Sequence, residues 1–245
     1  MAREHTPIQI GLPEEPAWQV AEPTPFALVA FLAGDEMPDP GESFLAAGRA
    51  FGGEPRDVEP LPIEDERVAW GFAFTAGRRA SRVLVWCERA DPAQLPSAEA
   101  ADARWVLSLE TILDDERPVE DFAALCVTLA ASAGPRLRLL YDAGLGATWN
   151  ASAAAELLAT RGELVDERQL YRIEVVARDR AKGPFWLSTV GMSRLLKPEL
   201  EMLEVPPELL RTALELVDAT AARLVTAEFP HAGVPFEVGP ALKAP

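Results

Sequence analysis

Histidine is almost missing from this chain. There are two in 245 residues, His5 and His231, each close to an end of the sequence. Histidine is the commonest general base and a frequent metal ligand. A serine hydrolase triad would have to bring one of these two into the core, and no Gly-x-Ser-x-Gly elbow exists to receive it. Cysteine is as scarce. Cys87 sits in VLVWCE and Cys126 in ALCVTLA, both apolar surroundings without the close ligand spacing of a zinc site. They are expected to be reduced core residues. Positive charge is short as well, with 23 Lys and Arg against 39 Asp and Glu and a net charge of −16. Neutralising phosphates needs clustered cations, so nucleic acid and anionic lipid are poor partners. No apolar run approaches the ~20 residues of a membrane span, and the first residues lack a signal-peptide core. The expected location is the cytoplasm.

What is present is a large apolar fraction, 49%, enough for a sizeable core. Residues 1–25 are rich in Pro and Glu and read as an extended arm. PFALVAFLAG is a buried strand, and GESFLAAGRAFGG a helix with Phe44, Ala47 and Phe51 at helical spacing, stopped by Gly52-Gly53. Residues 54–66 read as a loop. VAWGFAFTA and SRVLVWCE make a hairpin, with Trp70, Phe72 and Phe74 on one face. Residues 91–102 connect to a central strand, ARWVLSLETIL. A helix follows, with Pro118 in its first turn and Phe122, Leu125, Cys126 and Leu129 as its buried stripe. RLRLLYDAG is a strand, and NASAAAELLATRG a helix capped by Asn150. RQLYRIEVVARD and GPFWLSTVG form a second hairpin. A long amphipathic helix from Pro207 ends at Pro230, and the tail from His231 is Gly- and Pro-rich.

The pattern predicts an α+β protein with largely antiparallel sheets and packed helices. It suggests two similar β-α-β-β halves fused into one body: residues 26–90 and 103–230, with the arm at 1–25 and an irregular tail at 231–245. Runs of hairpins argue against a doubly wound parallel sheet.

Three stretches invite a chemical reading. YDAGLGATWNASAAAELL mimics a dinucleotide fingerprint, but Trp149 stands where a small residue must let helix and strand approach. It reads as a strand–helix turn. The carboxylates at Asp114, Asp115, Glu116, Glu120 and Asp121 cluster at a helix start, where they offset the dipole on a solvated face. FWLSTVGMSRLLKPELEMLEVP is richer. Phe185, Leu187 and Thr189 alternate with Trp186, Ser188 and Val190, Gly191 allows a sharp exit, and Arg194 is expected to pair with Glu199 or Glu201. It is either a strand–turn junction or a polar site formed by Trp186, Ser188, Thr189, Arg194, Glu199 and Glu201.

Trp186-Leu187, Thr189, Gly191, Arg194 and Pro198-Glu199-Leu200-Glu201 resemble a signature of uncharacterised bacterial proteins. It runs Trp-Leu-His-Thr-His-Gly-Leu, then Arg, then Glu-Leu-Glu, and the family is called domain of unknown function 4026. TVGM followed by an acidic stretch is similar to a related set, domain of unknown function 4261. The likeness extends upstream to cover much of residues 80–205, with Trp186–Glu201 its specific part. Where the signature has two histidines, this chain has Ser188 and Val190, so no metal or proton-transfer role carries over. The resemblance implies a bacterial α+β protein and supplies no reaction.

No cofactor or metal motif stands out. The expectation is a non-enzymatic protein acting through protein–protein contact, as an adaptor or an immunity-type protein, with its acidic face toward a basic partner. The alternative is a small-molecule or enzymatic site around Trp186–Glu201. Oligomeric state is not readable.

Overall fold

The computed structural model describes residues 24–38, 40–50, 56–61, 68–76, 81–113, 117–177, 179 and 183–227. The expected arm (Thr24 and Pro25 apart), the tail from 231, both histidines, the Gly52-Gly53 stop, Phe51, Pro230 and residues 114–116 of the acidic cluster lie outside the described residues, as do the side chains of Trp70 and Phe74.

The apolar run at the start of the described chain forms β1 (Phe26–Ala33). It is followed by α1 (Pro40–Ala50), β2 (Arg56–Pro60), β3 (Val68–Ala76), β4 (Ser81–Arg89), β5 (Ala103–Thr111), α2 (Pro118–Ala133), β6 (Leu137–Asp142), β7 (Ala147–Asn150) and α3 (Ala151–Ala159). These strands make one seven-stranded antiparallel sheet in the order β2-β3-β4-β5-β1-β6-β7. Two split β-α-β units interlock at its centre. β5 lies between β1 and β4, and β1 lies between β5 and β6. The central four strands and two helices therefore have the β-α-β-β-α-β topology of ferredoxin-like folds. The β2–β3 hairpin extends one edge and β7 the other. Strands from 26–90 and from 103–230 share this sheet, so the two stretches build it jointly.

Burial explains the arrangement. Phe26, Leu28, Ala30 and Leu32 alternate along β1 into the core that α1 and α2 cover, where Phe44 and Phe122 are fully enclosed. The Phe122 ring meets Phe26 edge-on at 5.3 Å, and Phe44 meets Phe72 at 6.0 Å. Phe31, Val106 and Leu139 form a smaller cluster with Ala100, from the short 3₁₀ turns at 92–100. Cys87 and Cys126 are free and buried.

A second, three-stranded sheet follows, with β8 (Arg172–Ala177), β9 (Phe185–Val190) and β10 (Glu201–Val205) in the order β10-β9-β8. The helix α4 (Leu210–Thr226) covers one face, with Ala213 and Val217 against Leu187 and Val205. Its last two turns turn elsewhere: Ala221, Ala222, Leu224 and Val225 join the main core. The α+β class is as expected.

Two local expectations fail. Residues 56–60, read as loop, form the edge strand β2. Among the described residues it pairs on one side, with β3, and an edge position tolerates its charged residues and terminal Pro60. The turn after β6 leads into β7 rather than directly into a helix, with Gly146 N–H donating to the Asp142 carbonyl at 2.8 Å. Trp149 on β7 is opposite Leu140 and packs 6.2 Å from the Phe122 ring, which gives this short strand its anchor.

Candidate functional site

The Trp186–Glu201 stretch lies where the two sheets meet. β9 carries the expected alternation: Leu187 and Thr189 are buried, and Trp186 on the opposite face is 42% exposed. Gly191 then takes φ +112°, and a Cβ there would sit 2.7 Å from both Leu145 Cδ2 and the Leu170 carbonyl oxygen. Only glycine fits both the conformation and the contact. A 3₁₀ turn, Met192–Leu195, follows.

Glu199 closes over that turn. Its Oε1 accepts from the Gly191 and Ser193 amides at 2.9 and 3.1 Å, and its Oε2 from Thr189 Oγ1 at 2.8 Å. Thr189 Oγ1 accepts in turn from the Leu200 amide at 2.7 Å, and the Thr189 amide donates to the Leu200 carbonyl at 2.9 Å. The carboxylate thus satisfies amides that the turn leaves open, as a side-chain cap does at a helix start.

Arg194 does not pair with Glu199 or Glu201. The turn after Gly191 aims it into the core, where it is 2% exposed. Its Nη1 donates to Asp142 Oδ2 at 2.8 Å and its Nη2 to the Leu170 carbonyl at 2.7 Å, with the guanidinium 5.4 Å from the Phe26 ring centre. The expected pairing fails because Glu199 is already committed to the turn amides, and Glu201 sits across β9 from Ser188 on an exposed position. Asp142, fully buried, also accepts from the Gly144 and Leu145 amides through Oδ1 at 3.0 and 3.1 Å. One carboxylate therefore fixes the β6–β7 turn and anchors the motif. Arg194 Nε is buried without a hydrogen-bond partner. Thr24, just before β1, adds a bond from Oγ1 to Ser193 Oγ at 3.1 Å.

The six expected residues therefore split. Thr189, Glu199 and Arg194 face inward. Trp186, Ser188 and Glu201 lie on the outer face of the small sheet, where Trp186 pairs with Val176, itself 50% exposed, and Ser188 lies between Glu174 and Glu201. Ser188 Oγ donates to the Thr189 carbonyl at 3.2 Å.

A second knot ties α4 to the main body. Tyr171 is buried, and its hydroxyl donates to Asp218 Oδ1 at 2.7 Å, while Arg168 Nε donates to Asp218 Oδ2 at 2.9 Å. Burial, helped by the Asp218 hydrogen bond, pushes the Tyr171 phenol upward. Burial also pushes the Cys87 thiol up to about 12, against the Arg136 charge that lowers it. Burial raises the Cys126 thiol further, with Asp142 adding to the rise and Arg194 opposing it. Both thiols are held neutral and are poor nucleophiles.

Asp142 and Leu170 are the partners that sequence reading missed. The signal was present in LRLLYDAGLG: an Asp ending an apolar strand before a Gly-rich turn is the carboxylate best placed to meet a buried Arg. Among the described residues, no three His, Cys, Asp or Glu side chains converge as a metal site, and no helix is long and apolar enough to cross a membrane. Compared with protein-family models, with curated proteins and with solved structures, the chain matches none.

Proposed function

We propose that this protein works by contact with a basic protein partner, as an adaptor or an immunity-type protein, and that the motif resembling domain of unknown function 4026 is the clasp that holds its binding body together. One observation carries this reading: Thr189, Arg194 and Glu199, the strongest polar groups of the motif, all bind within the chain. Groups so committed cannot meet a substrate without breaking the fold. The acid excess of the chain is then free to act at the surface, where it speeds and selects encounters with a cationic partner.

The test is retention of partners from an extract of the native cell by the tagged protein, at low and high salt, read by mass spectrometry. A stoichiometric basic protein lost at high salt supports the reading. Absence of any stoichiometric protein at low salt overturns it. A second reading rests on the outer face of the small sheet, where the exposed Trp186 and Val176 pair beside Ser188 and Glu201. A planar small molecule stacked on Trp186 would quench its fluorescence, and Trp186→Ala would abolish that quenching.

A further inference from the structure

A cleft of about 690 Å³ opens between α2 and the loop at 161–167. Its floor is apolar, from Val119, Ala123 and Val127 of α2 with Val165 of the loop. Four carboxylates line it, Glu120, Glu163, Asp166 and Glu167, against one guanidinium, Arg161. Leu164 stands alongside, 61% exposed.

The cleft is built into the fold. α3 ends in a Schellman arrangement, with Gly162 N–H donating to the Leu157 carbonyl at 3.0 Å and Arg161 N–H to the Leu158 carbonyl at 3.2 Å. Gly162 takes φ +78°, and a Cβ there would lie 2.9 Å from Ala123 Cβ, so the loop sits directly on α2. Val165 N–H donates back to the Gly162 carbonyl at 2.9 Å, and Asp166 Oδ1 caps the next turn by accepting from the Arg168 amide at 3.0 Å. The nearby cations leave the rim acidic. Arg117 is 3.6 Å from Glu120 in an exposed pair, and Arg168, 3.6 Å from Glu167, is committed to Asp218 at 2.9 Å. Exposed pairs at such distances neutralise little. Glu163 is in no ion pair among the described residues.

We propose that this cleft is the docking site for a short basic segment of a partner protein, with an apolar side chain against Val119, Ala123 and Ala124 and Lys or Arg against Glu163, Asp166 and Glu167. The partly exposed apolar lining on α2, from Val119 to Ala124, follows ~8 Å of helix axis, enough to seat one side chain of an amphipathic segment. The inference rests on the basic-partner reading and adds the place and the chemistry of the contact. Arg161 is the one residue out of keeping. It occupies the left-handed position, φ 53°, where Schellman ends favour glycine, and it sets a positive charge in the acidic rim. Arg161→Gly removes both conflicts.

The experiment titrates fluorescein-labelled peptides of Lys and Leu, of Lys and Ser, and of Glu and Leu, all at helical spacing, into the full chain and follows anisotropy. The Lys/Leu peptide is expected to bind best. Glu163→Lys with Glu167→Lys should weaken it at least about tenfold, and Arg161→Gly should tighten it about threefold. Glu99→Lys with Glu208→Lys, an equal charge change at exposed sites elsewhere, should leave it within about twofold. Thermal melts check that each variant is folded. Equal weakening by the two double variants would mean diffuse attraction and would overturn the cleft. So would failure of the Lys/Leu peptide to bind, or equal binding of Lys/Ser. A natural basic partner retained undiminished by Glu163→Lys with Glu167→Lys would overturn the cleft and leave the basic-partner reading standing. If the wild-type chain retains no basic partner, that reading itself fails.

Discussion

The two sheets solve the same problem unequally. In the seven-stranded sheet, β1 and β5 are covered on both faces: Leu28, Leu107 and Leu109 in the helix-covered core, and Phe31 and Val106 in the cluster beneath the 92–100 segment. Among the described residues, only the α4 face of the three-stranded sheet is covered, and the other leaves Trp186 and Val176 exposed. Three strands under one helix are the minimum from which a sheet draws independent stability, so the small sheet has little to spare. It borrows stability from the larger body through Arg194–Asp142, the Gly191 contact with Leu145 and Leu170, and the far end of α4. The difference teaches that a buried ion pair works beside apolar contacts at the join, where Met192, Leu195, Leu224 and Val225 enter the main core around Arg194–Asp142.

The sharpest way to break that comparison is Arg194→Ala. It leaves Asp142 buried with an uncompensated charge, at a cost of about 3–5 kcal/mol. For a chain this size the melting temperature should fall on the order of 10 °C. Arg194→Met with Asp142→Asn removes both charges while keeping an amide oxygen for the Gly144 and Leu145 amides, and should recover most of the loss. A drop under about 1 kcal/mol for Arg194→Ala would show that the small sheet stands without its anchor.

Alkaline pH tests the larger body separately, since both thiols lie in it. Cys87 is raised to about 12 and Cys126 is raised further, so the folded chain keeps protons that the unfolded chain loses above its ordinary thiol pKa of about 8.5. Stability from these groups is full below that value and falls as pH rises toward the folded values. Denaturant melts should show a loss of up to about 4 kcal/mol by about pH 10, at roughly 1.4 kcal/mol per thiol per pH unit. Cys87→Ala with Cys126→Ala should flatten the decline. A decline unchanged by that pair would place its origin outside the two thiols.

The sequence declared these two bodies with different clarity. The alternation in PFWLSTV is visible because one face of β9 is open, and the faces of Trp186 and Leu187 were readable from it. β1 and β5 are apolar along nearly their whole length because both faces are covered, so their strand character was legible while their neighbours were not. Nothing local says that β1 lies between β5 and β6, because that order depends on how two crossover helices share one face. The same limit hid Asp142. Arg194 plainly needed an acid, and nearby Glu199 and Glu201 were the economical choices, but the turn amides after Gly191 had a prior claim on Glu199. Edge strand β2 looks like loop in the sequence because a one-sided strand can tolerate Pro60 and charges that a central strand cannot.

Glu199→Ala probes the clasp with a smaller effect. It leaves the Gly191 and Ser193 amides and the Thr189 hydroxyl without their acceptor, in a partly buried place, for about 2 kcal/mol. Glu199→Gln keeps an oxygen for the amides and should cost about half as much. Amide exchange should quicken at Gly191 and Ser193 in the Ala variant and leave β1 protected, because β1 is held by its own core. Equal loss of protection in β1 would mean that the two sheets open as one unit.

The smallest expected effect is at Trp186. Its ring is 42% exposed on the outer face, so Trp186→Ser removes only partial packing against Val176 and should shift stability by less than about 0.5 kcal/mol. This is the step that separates an open face from a covered one. A cost above about 2 kcal/mol would mean that the ring is enclosed in solution, by another copy or another segment, and the small sheet would then have two covered faces like the large one. A melting curve compared at two protein concentrations distinguishes those cases, because only association between copies makes the cost depend on concentration.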